Sequence, residues 1–336
     1  MHWRTKAHIL AILSRIPAGS ALYHLLQRVG GTNRLSPCEG VGRALELVEM
    51  TRQAESRIDG AVVLEVGTGW RPFVPMVFHL LGAKRIVSLD INPWLNHAYA
   101  LETARVLETQ LPRISAATGL DYSILQERYR RATASQESLP KLLASWGIDY
   151  RCPADARATG LPEQSIDLVV SSNVLEHIPL EIQREIHSES MRVLVPGGLL
   201  VHRFNPGDHY AHGKGSLHTA NFLQFSEKDW HWYGGSGLAY HNRLRASDYD
   251  AMFEEVGCEV RVRRTRVDEK ALAELKAGRP AIHPDYARYA LDDLATDYMW
   301  VAAARPVAAA ASQDAVGQEA APSTKRGFAK SGMVTT

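Results

Sequence analysis

The sequence predicts a doubly wound α/β fold built on a mostly parallel, seven-stranded sheet, and three observations carry that expectation. From Ala61 onward short β-branched runs alternate with stretches of helical period, the texture of βαβ units around a parallel sheet. One run, Val62 to Val66, passes directly into the glycine turn Gly67-Thr68-Gly69, and acidic residues recur at the ends of the runs that follow. With 336 residues, 45% of them hydrophobic, the chain has ample material for such a core.

Ahead of the sheet, Ile9, Ile12, Leu13 and Ile16 keep the spacing of a one-sided helix, which Pro17 and Gly19 stop. Ser20 can cap a second helix carrying Leu22, Leu25, Leu26 and Val29, which ends at Gly30 and Gly31. Val41, Ala44, Leu45 and Val48 mark a third, so residues 1–57 are expected to form a helical N-terminal extension. The main domain, 58–305, should carry strands near 61–66, 85–90, 149–152, 166–172, 198–204, 258–267 and 298–304. Residues 92–147, rich in Leu, Ala, Gln, Glu and Arg, read as helices inserted after the second strand and lying over the site. Residues 205–245, rich in Gly, His and aromatics and weak in any period, read as a substrate-side loop region. A helix from Ser247 to Val256 follows, and the tail 306–336, with Phe328 as its only aromatic, is expected to be disordered.

Lys and Arg number 38 against 37 for Asp and Glu, so no net charge draws the chain to nucleic acid, and no nucleic-acid partner is expected. Cys38, Cys152 and Cys258 are odd in number and widely spaced, which suits neither a disulfide framework nor a paired-thiolate metal site, and a reducing cytoplasm is the expected location. The apolar run Ile9 to Leu13 is cut by Ser14 and Arg15, too short for a secretory core or a bilayer span. The first helix, with Trp3, Arg4, Lys6 and Arg15, offers at most a weak peripheral contact with a membrane, and packing against the catalytic domain is its expected use.

Glycines in the turn Gly67-Thr68-Gly69 let backbone N–H groups approach a ligand closely. Nicotinamide, flavin and nucleotide folds share that device, so the turn alone selects no cofactor. Glu65 stands two residues ahead of it, and Asp90 ends the next run, Ile86 to Asp90, where a carboxylate can accept both hydroxyls of a ribose. Asp155, after the third run, can accept from an adenine amino group, with the N–H of Ala156 opposite the ring nitrogen. Any one of these acids alone would be read as a helix cap or a solvated strand end. Together they converge on an adenosine.

The order continues with Leu161-Pro162, Ile166-Asp167-Leu168-Val169-Val170, Leu175-Glu176-His177-Ile178 and Pro196-Gly197-Gly198. Over about residues 60–260 this series resembles the class I S-adenosylmethionine-dependent methyltransferases, Rossmann-like in fold. The likeness is greatest to their small-molecule, methyltransferase type 11-like branch, which modifies quinones, lipids and sugars. The resemblance implies S-adenosylmethionine as cofactor, with Gly67 and Gly69 against its methionine part, Asp90 on the ribose and Asp155 at the adenine. Glu65, Thr68, Ile91, Ala156 and Asn173 complete the expected cofactor contacts. One departure is that Arg71 stands where many relatives carry a third glycine, between bulky Trp70 and Pro72.

The resemblance also puts the methyl acceptor near His177, which could orient or deprotonate a nucleophile or, more plainly, bond the backbone at a helix start. Asp208 and His209 are the further catalytic candidates, and Tyr210, Phe222, Phe225, Trp230, Trp232 and Tyr233 could line the acceptor or simply pack a core. Six of the fourteen histidines fall between His202 and His241, yet no metal is expected, because methyl transfer needs none and the spacing is not a zinc pattern. Arg261, Arg263, Arg264 and Arg266 read as a solvated strand edge or a contact for an acidic substrate. The expected function is methyl transfer to a small molecule, a lipid, saccharide or quinone-like compound. A nicotinamide-dependent oxidoreductase would need glycine at Pro72 and leaves Asp155 without a task; a non-catalytic scaffold of the same fold is the other alternative.

Overall fold

Seven strands form one sheet in the order β3-β2-β1-β4-β5-β7-β6. They are β1 (Val62–Val66), β2 (Arg85–Leu89), β3 (Ile148–Arg151), β4 (Ile166–Ser172), β5 (Leu194–Phe204), β6 (Glu259–Val267) and β7 (Thr296–Ala304). The first five run parallel, and β7 inserts antiparallel between β5 and β6. The computed structural model describes residues 2–17, 19, 22–23, 37–135, 137–212, 217–238 and 240–307. The second N-terminal helix with its Ser20 cap, the side chain of His212 and the tail beyond residue 307 lie outside the described residues.

Alternation along each strand sends side chains into two cores. Val63, Ile86, Leu168, Leu199 and Ala302 face helices α2 (Pro37–Gln53) and α3 (Phe73–Leu80) on one side of the sheet. Leu64, Val87, Val169, Leu200 and Val301 face α7 (Leu180–Val193) and α9 (Ala246–Glu255) on the other. Helix α2 reaches the sheet through the stripe Val41, Ala44 and Val48, all buried. The insertion forms α4 (His97–Thr118), α5 (Tyr122–Ala132) and α6 (Leu139–Ser145). Its Leu107, Leu111, Ile114, Leu125 and Leu142 join the first core, so most of it thickens that layer instead of covering the site.

Strand β5 starts four residues earlier than its apolar run suggests. Leu194 pairs with Ile166 and Leu199 with Leu168, so Val195 to Gly198 bulge within the strand. A Cβ on Gly198 would lie 2.9 Å from the Val195 carbonyl oxygen, which explains the glycine. Edge strand β6 spends its arginines on its own chain: Arg263 on Asp250, Arg266 on Asp297, and Arg264 over the Trp300 ring.

A third, smaller core gathers Phe222, Leu223, Trp230, Tyr286 and α10 (Glu269–Lys276), with Tyr210, Phe225 and Tyr233 packed against it. Helix α1 (Trp3–Leu13) docks there against α8 (Glu227–Gly234), pressing Trp3 among Tyr210, Phe225, Trp230 and Tyr233 at centroid distances of 5.2 to 6.2 Å. The aromatics considered above as an acceptor wall therefore pack one another, because burying such large apolar rings outweighs leaving them to line a cleft. Trp232 alone of the six is well exposed, at 61%. No helix among the described residues is long and apolar enough to cross a membrane.

Candidate active site

The parallel strands deliver their C-terminal ends to one edge of the sheet, where open α/β sheets bind ligands. At the end of β1, Gly67 (φ 82°) donates its N–H to the Leu89 carbonyl at 2.8 Å. A Cβ there would sit 2.5 Å from a Val174 methyl, so glycine is what lets this turn meet the loop after β4. Gly69 (φ 66°) faces open space, its missing Cβ having no neighbour within 4 Å. Its N–H reaches Asp90 Oδ2 at 2.7 Å, and the Asn92 N–H reaches Oδ1 at 2.8 Å. Asp90 thus ties the first two strand ends together and keeps acceptor capacity for two further donors. Burial raises its carboxyl above the usual range against those N–H groups.

Beneath the turn, buried Glu65 accepts the Ser88 hydroxyl at 2.5 Å, and Ser88 also bonds the Thr68 hydroxyl. Burial pushes Glu65 up to about 7, with those hydroxyls opposing it. Ile91 is 67% exposed at the rim. The residues that replace the third glycine are taken up by the insertion. Trp70 stacks flat on Trp94 at 5.5 Å, and Arg71 pairs with Glu102 at 2.8 Å while lying over Tyr99.

The loop after β3 is drawn to Asp90 by the Ala154 N–H, which donates to the Asp90 carbonyl at 2.9 Å. Ala156 is buried against the second core. Asp155 is half exposed and engaged: Arg157 binds it through its guanidinium at 2.7 Å, and that pairing lowers its carboxyl. Asn173 adopts a left-handed backbone (φ 57°), its amide oxygen accepting from Arg203, which in turn pairs with Glu46 of α2 at 2.6 Å. Its role in the structure is to link the β4 end to α2 and to Tyr298, 3.3 Å from its amide nitrogen.

Of the three catalytic candidates, the structure brings two together. The rings of His177, on a short 3-10 turn after β4, and His209, on another after β5, lie 4.9 Å apart. His177 is exposed and donates Nδ1–H to the Tyr240 carbonyl at 3.0 Å, which leaves Nε2 with its lone pair. Asp208 is fully buried and committed elsewhere, accepting from Asn221 Nδ2 at 2.7 Å and the Tyr210 N–H at 2.8 Å, with burial raising it to about 6. Two neighbours went unassigned by sequence reasoning. Glu176 is fully buried, its carboxyl raised by burial and only partly offset by His177. His241 stacks on His209 at 4.6 Å. The Glu-His dipeptide after a strand was the available signal for the first; nothing local marks the second.

A second histidine pair lies in the α7 face of the sheet. His187 donates Nδ1–H to the Gln183 carbonyl at 2.7 Å, so its Nε2 must accept from His202 Nε2–H at 3.3 Å, and His202 Nδ1 then accepts the Ser171 hydroxyl at 2.8 Å. Burial depresses both imidazoles, His187 to about 4.

A family model described as a methyltransferase domain matches residues 102–202, from α4 to β5. No curated protein matches the chain in sequence. Among solved structures, an S-adenosylmethionine-dependent methyltransferase from Mesorhizobium loti is 18% identical, covering 77% of this chain and 96% of its own at a TM-score of 0.41. Phosphoethanolamine N-methyltransferase 2 of Haemonchus contortus, in complex with phosphomonomethylethanolamine and S-adenosylhomocysteine, is 14% identical, with 91% and 61% covered and a TM-score of 0.46. The strand order also departs from that of dinucleotide-binding sheets, which have no antiparallel strand between the fifth and the last. Residues 102–202, which span β3, β4 and the Glu-His turn, are thus similar to a methyltransferase domain, and they sit in a seven-stranded, Rossmann-like sheet.

Proposed function

We propose that the enzyme methylates an oxygen-bearing small molecule, a lipid, saccharide or quinone-like compound, presented at the His177–His209 pair. The observation that carries this reading is the contact between the two turns: Val174 meets Gly67, and three residues later stands His177. The glycine turn and the acceptor-side imidazoles thereby share one strand edge. In this reading Gly67, Thr68 and Gly69 cradle the methionine part of the cofactor above buried Glu65. Asp90 offers its remaining lone pairs to the ribose, and Ile91, Asp155 and Ala156 border the adenine. Ionised Asp155 can exchange its exposed Arg157 partner for an adenine amino group at small cost, since exposed ion pairs contribute about 0–1 kcal/mol. Asn173 acts through its side-chain amide, whose oxygen accepts from Arg203 and so holds the β4 end against α2.

The cofactor supplies an electrophilic sulfonium methyl. The chain supplies position and exclusion of water, which dominate such a transfer. Exposed His177 is set to receive an acceptor hydroxyl on Nε2, because Tyr240 fixes the proton on Nδ1. A lipid is favoured among the three acceptors by the outward row Ile9, Ile12 and Ile16 on and just after α1, at 42%, 59% and 49% exposure, beside exposed Trp232.

Transfer of labelled methyl from S-adenosylmethionine to lipid, saccharide and quinone fractions tests this reading. Label is expected in one fraction, and His177→Ala should lower turnover roughly a hundredfold while S-adenosylhomocysteine affinity stays unchanged. Label in none of the fractions, or full activity in the variant, would refute it.

A further inference from the structure

We infer that Glu176, His177 and His209 form a binding site for one divalent first-row transition-metal ion. One ligand atom from each of the three lies within 4.8 Å of the other two. Two imidazoles and a carboxylate are the donor set that suits such ions and not magnesium or calcium, which prefer all-oxygen cages.

Two further observations point to a ligand. Glu176 has no exposure, yet only Oε1 is satisfied, by the Asn205 N–H at 3.2 Å; Oε2 is buried without a hydrogen-bond partner among the described residues. A buried carboxylate oxygen left so costs about 1–3 kcal/mol or more, which a bound cation would remove. His177 is held by its other nitrogen on a backbone carbonyl, the outer contact that fixes a metal-binding imidazole with its lone pair outward. Three ligand atoms about 2.0–2.2 Å from one ion stand about 3.3–3.8 Å from one another, so binding draws together a triad whose atoms lie within 4.8 Å by up to about 1.5 Å.

Three protein ligands leave coordination positions open, and the exposed flank of His177 puts them toward solvent. Resting on the acceptor assignment above, the ion would take the lone pairs of both imidazoles and itself hold the acceptor oxygen. Chain spacing hides the triad, since His209 lies far from the Glu-His pair in sequence and meets it only because β4 and β5 are neighbours.

Untagged full-length protein, stripped with a chelator, is titrated with Co²⁺ alone, without cofactor or acceptor, and followed by visible ligand-field absorption and by equilibrium dialysis. The expected result is one Co²⁺ per chain, displaced by Zn²⁺, with affinity at least about tenfold weaker in Glu176→Gln and in His209→Ala. S-adenosylhomocysteine binding by the same variants checks that they are folded. Absence of stoichiometric Co²⁺ binding, or binding undiminished in both folded variants, would overturn the site. If Co²⁺ binds as expected but no fraction accepts methyl, the acceptor reading fails and the metal site stands.

Discussion

Two pairs of histidines bridge the β4 and β5 regions, and they do opposite things with the same chemistry. His187 and His202 are buried between α7 and the sheet, where every ring nitrogen has a partner in a single chain from Ser171 to the Gln183 carbonyl. His177 and His209 stand where the strands end, beside a buried glutamate and open to solvent on the His177 side. Burial with complete hydrogen bonding makes the first pair a neutral structural element. A site for a ligand needs lone pairs that nothing internal consumes, and the second pair has one on His177.

The contrast can be broken by mutation. His202→Ala opens a cavity and strands partners of the chain, so a loss of about 3–4 kcal/mol is expected in urea unfolding, with S-adenosylhomocysteine affinity retained in the folded fraction. A loss below about 1 kcal/mol would mean that the inner pair is not structural.

The second effect is a pH dependence. The unfolded chain takes up a proton on His187 near pH 6.5 and the folded chain only near 4, so between these values the unfolded state holds more protons and stability is lost as pH drops. His187 alone accounts for about 3 kcal/mol by pH 4. Glu65, raised to about 7, gives a slope of opposite sign, stability being lost as pH rises from 4.5 to 7. The clean quantity is therefore the difference from wild type: His187→Leu should gain about 3 kcal/mol relative to wild type as pH drops from 7 to 4. A constant difference would contradict the buried neutral imidazole. Smallest of all, His209→Ala should change unfolding free energy by less than about 1 kcal/mol while abolishing turnover; a large stability loss would make the outer pair structural too.

Much of this was legible in the chain itself. Strand positions, the glycine turn and Asp90 emerge from short-range pattern, because a buried parallel strand and the acid at its tip are local features. The start of β5 was not, since Pro196-Gly197-Gly198 reads as a break and proves to be a bulge inside the strand. Asp155 was seen as a ligand contact, but Arg157 two residues on, within easy reach, takes its carboxylate in this structure. Asp208 looked like a base beside His209, and its burial against Asn221 depends on a contact thirteen residues away. The two histidine pairs were indistinguishable by composition. Which imidazole meets which is decided by strand order and helix register, and no local window carries either.

The account rests on S-adenosylmethionine as the cofactor of the strand-tip cradle, and calorimetric titration with S-adenosylhomocysteine tests it most directly. It predicts one site per chain, weakened about tenfold or more by Asp90→Ala, which removes the carboxylate that joins β1 to β2, and no heat with a nicotinamide dinucleotide. Silence with S-adenosylhomocysteine and clear binding of the dinucleotide would contradict it.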